Sequence, residues 1–228
     1  MGEFGQTFQD AIDKAAVVKS YSFVANGGDT LSLRVLGTSG LLRPRARVIS
    51  RLGIQVCNAS NGDPVITISG CALETAGGYL ILLDDTFSEK TGDFSLFVQR
   101  PNLPGSAIFI DSFDQTKNGT IDTSALGGTY KFLANQNDVA QVRATRTSGQ
   151  LNPQLRIVNR HGSQVCFANS SGGSTAQING CILEVAGTHY ILIEDESGAR
   201  LGNYELYLTC TNENCDKEPP PPPPPPPP

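Results

Sequence analysis

The stretch QVCNASNGDPVITISGCALETAGGYLILLDD, residues 55–85, returns as QVCFANSSGGSTAQINGCILEVAGTHYILIED at residues 164–195. Each copy contains two cysteines on either side of a polar loop, then an alanine-glycine turn, an apolar run that starts with an aromatic residue, and an acidic pair. A cysteine pair beside a buried strand is typical of a disulfide-stapled scaffold. The sequence therefore predicts a duplicated structural unit and indicates only weakly what that unit binds.

The repeat extends through most of the chain. Tyr21-Ser22-Phe23 matches Tyr130-Lys131-Phe132, and Gly92-Asp93-Phe94 matches Gly202-Asn203-Tyr204. We expect one unit at residues 1–100, a junction at residues 101–112, a second unit at residues 113–212 and a proline-rich tail at residues 213–228.

Within each unit, apolar residues alternate with polar or small ones, as in half-buried antiparallel strands. Residues 79–83 and 190–193 are apolar without interruption, which predicts strands that are covered on both faces. Turn signals separate about seven or eight short strands per unit, a pattern typical of a β-sandwich. No segment has convincing helical periodicity, and residues 8–18 read as strand. The sequence therefore predicts an all-β protein with two tandem antiparallel, jelly-roll-like β-sandwiches.

The cysteines indicate the compartment. The repeat pairs Cys57 with Cys71 and Cys166 with Cys181, and leaves Cys210 with Cys215 as a third short pair. Their spacings differ from the C-x-x-C pairs of zinc sites, and the chain has only two histidines. We therefore expect three disulfides and a secreted, oxidising environment.

Composition excludes some classes of function. A net charge of −5 argues against nucleic-acid binding, and no apolar run approaches the ~20 residues of a membrane span. Residues 1–4 lack the features of a signal peptide, so we interpret them as a cloning remnant that replaces the export signal. The ten prolines at the end predict a polyproline II rod about 30 Å long.

The motif order resembles that of a known family. Both units carry Tyr-x-Phe-x-Ala…Gly-Asp, then Leu-x-Pro with an apolar strand and a Gly, then Ala-Gly-x-Tyr with an acidic pair, then Gly-x-Tyr/Phe. This order resembles the bacterial pre-peptidase C-terminal (PPC) domain. The resemblance implies a jelly-roll-like sandwich appended to secreted enzymes and surface proteins, with a binding or targeting role and sometimes with calcium. The paired cysteines depart from the family pattern, as does the lack of a catalytic domain in this sequence. The proline tract resembles the rods of hydroxyproline-rich glycoproteins in algal cell walls.

A row of arginines is the first candidate binding site. Arg43, Arg45 and Arg47 alternate along one predicted strand and therefore project from one face, with Arg51 just beyond. The intervening residues Pro44, Ala46 and Val48 would face the core. The second unit keeps Arg156 and Arg160. Because guanidinium groups pair well with carboxylate and sulfate, the row could bind acidic polysaccharide. The alternative is an edge strand charged to prevent aggregation.

Calcium is the one cofactor that the sequence suggests. The acidic pairs Asp84-Asp85 and Asp195-Glu196 follow the apolar runs, and Asp93 follows the next loop. Oxygen ligands clustered in a loop suit calcium. Consecutive carboxylates point to opposite sides of a strand, however, and the alternative is a solvated turn.

Catalytic motifs are not recognisable. His161 and His189 have no accompanying nucleophile or metal motif, and we expect both on the surface. Glycosylation sequons occur at Asn58, Asn118 and Asn169.

The sequence thus predicts a non-enzymatic secreted binding or structural module of an extracellular matrix, cell wall or surface glycoprotein. Its expected partners are extracellular polysaccharide or matrix glycoprotein, and self-association is a further expectation. The alternative is a targeting or substrate-binding appendage of a secreted protease or glycoside hydrolase.

Overall fold

The computed structural model describes residues 4–101, 107–123, 125–212 and 215, and these residues form seventeen β-strands. The first unit contains β1 (Gln6–Ile12), β2 (Lys19–Ala25), β3 (Asp29–Gly37), β4 (Pro44–Ser50), β5 (Gln55–Ala59), β6 (Val65–Leu73), β7 (Gly77–Asp85) and β8 (Gly92–Gln99). The second contains β9 (Ile108–Phe109), β10 (Gln115–Ile121), β11 (Gly128–Ala134), β12 (Asp138–Gly149), β13 (Pro153–Asn159), β14 (Gln164–Asn169), β15 (Thr175–Leu183), β16 (Gly187–Asp195) and β17 (Gly202–Cys210). The described part has no helix long and apolar enough to cross a bilayer. The predicted polyproline rod lies outside the described residues.

The strands form four sheets. Sheet I has the order β2-β7-β4-β5, and sheet II the order β1-β8-β3-β6. Sheet III, β14-β13-β16-β11-β9, and sheet IV, β10-β17-β12-β15, repeat these two orders in the second unit, with β9 added. Neighbouring strands are antiparallel except that β9 pairs parallel to β11. The prediction of an all-β chain of antiparallel sandwiches is therefore confirmed.

Each sandwich encloses its own core because inward residues along a strand are apolar. In β3, Leu31, Leu33 and Val35 are fully buried between the two sheets, as are Ala140, Val142 and Ala144 in β12. The disulfides Cys57–Cys71 and Cys166–Cys181 join the two sheets of each sandwich, and Cys210–Cys215 closes the end of β17. All three predicted pairings are confirmed.

Strand pairing relates the units residue by residue. Tyr21 faces Ile81 and Tyr130 faces Ile191, so Ile81 corresponds to Ile191. It follows that Tyr79 corresponds to His189. His189 is 1% exposed and its ring lies 5.7 Å from that of Phe132, just as Tyr79 lies 5.5 Å from Phe23. The prediction of a surface histidine is wrong here, because this position is a core aromatic site.

The two sandwiches stack face to face, in the layer order I–II–III–IV. Leu126, in the turn before β11, packs against Leu36, Val65 and Phe97 on the outer face of sheet II. Arg34, on the same face, donates to Leu126 O at 2.9 Å, to Glu194 Oε2 at 3.1 Å and to Asp195 O at 3.0 Å. The outer face of sheet III is therefore covered by the first unit.

This stacking explains a difference between two similar apolar strands. Leu192 of β16 is 6% exposed, whereas the corresponding Leu82 is half-buried and Leu80 is 41% exposed on β7. The prediction of a strand covered on both faces is right for residues 190–193 and wrong for residues 79–83. The junction also contributes, since Ala107 packs against the buried Val158, Tyr190 and Leu192. Sheet I keeps its outer face free among the described residues.

Candidate binding surface on sheet I

The arginine row lies on this free face. Pro44, Ala46 and Val48 are buried, and Arg45 and Arg47 point outward between them, as the alternation predicted. β4 lies between β7 and β5 in sheet I and is therefore an interior strand. The edge-strand explanation for these arginines is wrong.

Asp84 holds the middle of the row in place. Arg45 donates from Nε and Nη2 to the two carboxylate oxygens of Asp84 at 2.8 and 2.7 Å, and Arg47 Nη2 donates to Oδ2 at 2.8 Å. These hydrogen bonds raise the pKa of Arg45 above its ordinary value. Such charge-assisted, bidentate bonds are strong and fix geometry. Because two guanidinium groups share one carboxylate, this group of three side chains keeps one net positive charge.

Arg43 and Arg51 extend the row at both ends, and both are exposed. The Arg43 guanidinium lies 5.9 Å from the ring of Phe87, which is itself 55% exposed. At the rise of an extended strand, residues 43–51 span about 27 Å. The face therefore presents a linear positive strip long enough to contact several units of a polymer.

A groove of about 630 Å³ opens at the Arg51 end of the row. Val24, Ile49 and Leu80 form apolar walls, and Gly78 has open space where a side chain would stand. Ser50 contributes a buried hydroxyl that has no hydrogen-bond partner among the described residues. Apolar walls with a few polar groups are typical of ligand sites.

The two arginines predicted in the second unit have different surroundings. Arg156 lies over the Phe167 ring at 5.7 Å and lines the cleft between sheets II and III. Arg160 Nε donates to His161 Nε2 at 3.1 Å, and His161 is exposed as expected. Neither arginine belongs to the sheet I row.

The acidic residues at the ends of β7 and β16 are internal acceptors. Asp85 accepts hydrogen bonds from the backbone N–H groups of residues 43, 87, 89 and 90. Burial alone would raise the pKa of Asp85, but these four bonds outweigh it and lower the pKa. Asp195 is bound in the same way by the N–H groups of residues 152, 197, 199 and 200. Both are about 1% exposed, so the solvated-turn interpretation is wrong for them.

These acidic groups do not fit a calcium site. Strand register matches Asp84-Asp85 with Glu194-Asp195, so the predicted pair Asp195-Glu196 was shifted by one residue. Glu196 accepts from Gly172 N at 3.0 Å, and Asp93 accepts from Ser39 Oγ at 2.7 Å. In the described ranges, the one group of three possible metal ligands is Asp138, Cys210 and Cys215, and its cysteines are joined in a disulfide.

The three sequon asparagines are exposed at separate places. Asn58 lies on β5, directly opposite Arg47 on β4 and hence on the sheet I face. Asn118 lies on β10 and Asn169 at the end of β14.

Comparison with known proteins gives only distant likenesses. No family model and no curated protein matches the chain. The chain is similar to the pre-peptidase C-terminal domain of the collagenase from Bacillus anthracis, with 15% identity and a TM-score of 0.40 over 47% of this chain and 98% of that one. It is also similar to the tandem CBM51 modules of a family 98 glycoside hydrolase from Streptococcus pneumoniae, with 10% identity and a TM-score of 0.26 over 89% of this chain and 83% of that one. At these values neither likeness assigns a family or a function.

Proposed function

We propose that this chain is a non-enzymatic, extracellular binding or structural module whose sheet I face binds acidic polysaccharide. Its setting would be a matrix, cell wall or surface glycoprotein. The three disulfides support an extracytoplasmic location, because such bonds persist in oxidising environments.

The observation that carries the proposal is the arginine row on a free sheet face. Four guanidinium groups, at residues 43, 45, 47 and 51, surround one carboxylate, that of Asp84. The overall charge of the chain is −5, so this local positive strip runs against the balance of the molecule. Arg forks match carboxylate and sulfate geometry, and the adjoining groove offers apolar walls for the C–H faces of sugar rings.

The test is retention on immobilised heparin and polygalacturonate at increasing salt. Arg45 and Arg47 are poor targets, because removing them would leave the buried Asp84 carboxylate without partners. The variant Arg43→Gln/Arg51→Gln removes the two exposed charges that form no ion pair among the described residues.

The matched control is Lys117→Gln/Arg143→Gln, which removes the same charge from sheet IV. We expect the sheet I variant to elute at clearly lower salt than the wild type and the control to elute with the wild type. Equal elution of all three proteins would refute the proposed surface. Unchanged chain length of the recovered polysaccharide would support the non-enzymatic part of the proposal, and shortened chains would refute it.

A further inference from the structure

The stacking of the two units leaves one guanidinium group without an acidic partner. Arg156 corresponds to Arg47, which Asp84 holds at 2.8 Å. The acid that corresponds to Asp84 is Glu194, and its Oε2 instead accepts from Arg34 of the first unit at 3.1 Å. Within the described ranges Arg156 has no ion pair or hydrogen bond, and its Nε is buried without a partner. Arg34 has therefore taken the carboxylate that Arg156 would otherwise bind.

The free guanidinium lines a cleft of about 250 Å³ between sheets II and III. Three side chains of the first unit and three of the second bring polar groups into this cleft: Thr30, Ser32, Ser69, Arg156, Gln164 and Glu194. Val158 and Leu192 supply an apolar floor. Clefts between domains with an apolar floor and a few convergent polar groups are common ligand sites.

Several of these polar groups have hydrogen-bonding capacity to spare. Ser32 Oγ accepts one long bond, 3.5 Å, from Gly70 N. The Ser69 hydroxyl has no partner in the part of the chain that the structure describes. Gly70 leaves open space beside them, since a side chain at this position would touch nothing within 4 Å. The cleft therefore offers hydroxyl groups on one wall and a cation on the other.

We propose that this cleft binds one carboxylate-bearing sugar ring, a uronic acid unit. The Arg156 fork receives the carboxylate, and the Phe167 ring at 5.7 Å supports the guanidinium from below. Ser32, Ser69 and the Gln164 amide face the ring hydroxyls, and the apolar floor contacts the C–H face. The volume lies just below the ~300–1,000 Å³ of drug-sized ligand pockets, which suits a single ring. The site is separate from the sheet I row and does not depend on it.

The test is an NMR titration of the ¹⁵N-labelled chain with sodium D-glucuronate, observing the Arg156 Nε–H and Gln164 side-chain amide signals. D-glucose, a ring without a charge, and sodium acetate, a charge without a ring, are the reference ligands. We expect saturable shifts with glucuronate only. Arg156→Gln should weaken binding about 10- to 100-fold, the effect of losing a charge-assisted bidentate contact. Arg160→Gln removes the same charge from the next exposed arginine and should bind as the wild type does.

Three results would overturn the proposal: no shift at either signal with glucuronate, equal shifts with acetate, or full affinity in Arg156→Gln. If that variant fails to fold, the wild-type Arg156 signal decides alone. The Arg43→Gln/Arg51→Gln variant should bind glucuronate normally. Lost polysaccharide retention with intact glucuronate binding, or the reverse, therefore shows which site exists.

Discussion

Replacing Arg34 tests whether one side chain joins the two sandwiches. Arg34 is 3% exposed and donates three hydrogen bonds to the second unit, at 2.9, 3.0 and 3.1 Å. Arg34→Ala leaves the Glu194 carboxylate, whose side chain is 15% exposed, and two carbonyl groups without this donor. Breaking a buried pair on one side costs about 3–5 kcal/mol. Water can reach the partly exposed Glu194, so we expect the lower end, about 3 kcal/mol, in the free energy of unfolding.

Urea unfolding followed by circular dichroism and by tyrosine fluorescence measures this loss. Arg143 is the matched control because it occupies the corresponding position in β12, is exposed, and lies 5.8 Å from the Tyr207 ring. Arg143→Ala should cost less than about 1 kcal/mol, as exposed cation–π contacts do. If the two variants lose the same stability, Arg34 does not hold the stack and the reasoning fails.

Three further predictions concern the core. Burial lowers the pKa of His189, so its contribution to stability is complete above the unfolded value of about 6.5 and is lost as pH falls, by at most about 1.4 kcal/mol per pH unit. His189→Tyr, the residue of the first unit, should flatten melting temperature against pH between about 6.5 and 5, and an unchanged slope would contradict this assignment. Asp85→Asn should cost about 2–3 kcal/mol in urea unfolding, because the amide NH₂ group meets backbone N–H donors; Asp93→Asn, on the exposed turn, is the control, and equal losses would argue against the buried acceptor role. Tyr204→Phe leaves the buried Tyr130 hydroxyl without its 3.0 Å partner and should cost about 1–3 kcal/mol, whereas adding Tyr130→Phe should restore part of it; a strictly additive double variant would show that the two hydroxyls are not coupled.

Local patterns were enough to predict the β-architecture. Alternation such as Leu31, Leu33 and Val35 fixes which residues face inward, and matched cysteines in two copies leave one natural pairing. Both signals act within a few residues or within one unit. The strand character of the chain and its disulfides are therefore readable from the sequence.

Contacts between units were not readable in the same way. Arg34 and Arg143 occupy corresponding positions in similar strands, yet one is buried and the other exposed. A usable signal lay in their neighbours: the outward positions Leu36, Val65 and Phe97 are apolar in the first unit, where the second has Thr145, Thr175 and Tyr207. An apolar outer face predicts a covered sheet.

The histidine error came from register. Matching the letters Tyr79 and Tyr190 shifts the second unit by one residue, and in a strand a shift of one residue exchanges the inward and outward faces. Hydrogen-bonded pairing aligns His189 with Tyr79 instead. The groove on sheet I was missed for another reason, because its polar group, Ser50, and its open floor at Gly78 come from different strands.

The central claim is that two equivalent sheet faces have different fates: that of sheet III is covered and that of sheet I is free. Methyl NMR with a soluble gadolinium chelate measures this directly, since the chelate broadens the signals of exposed methyl groups. Leu80, 41% exposed on β7, should be strongly broadened, and Leu192, 6% exposed on β16, should be protected. Equal broadening of the two leucines would show that the sandwiches do not stack as described.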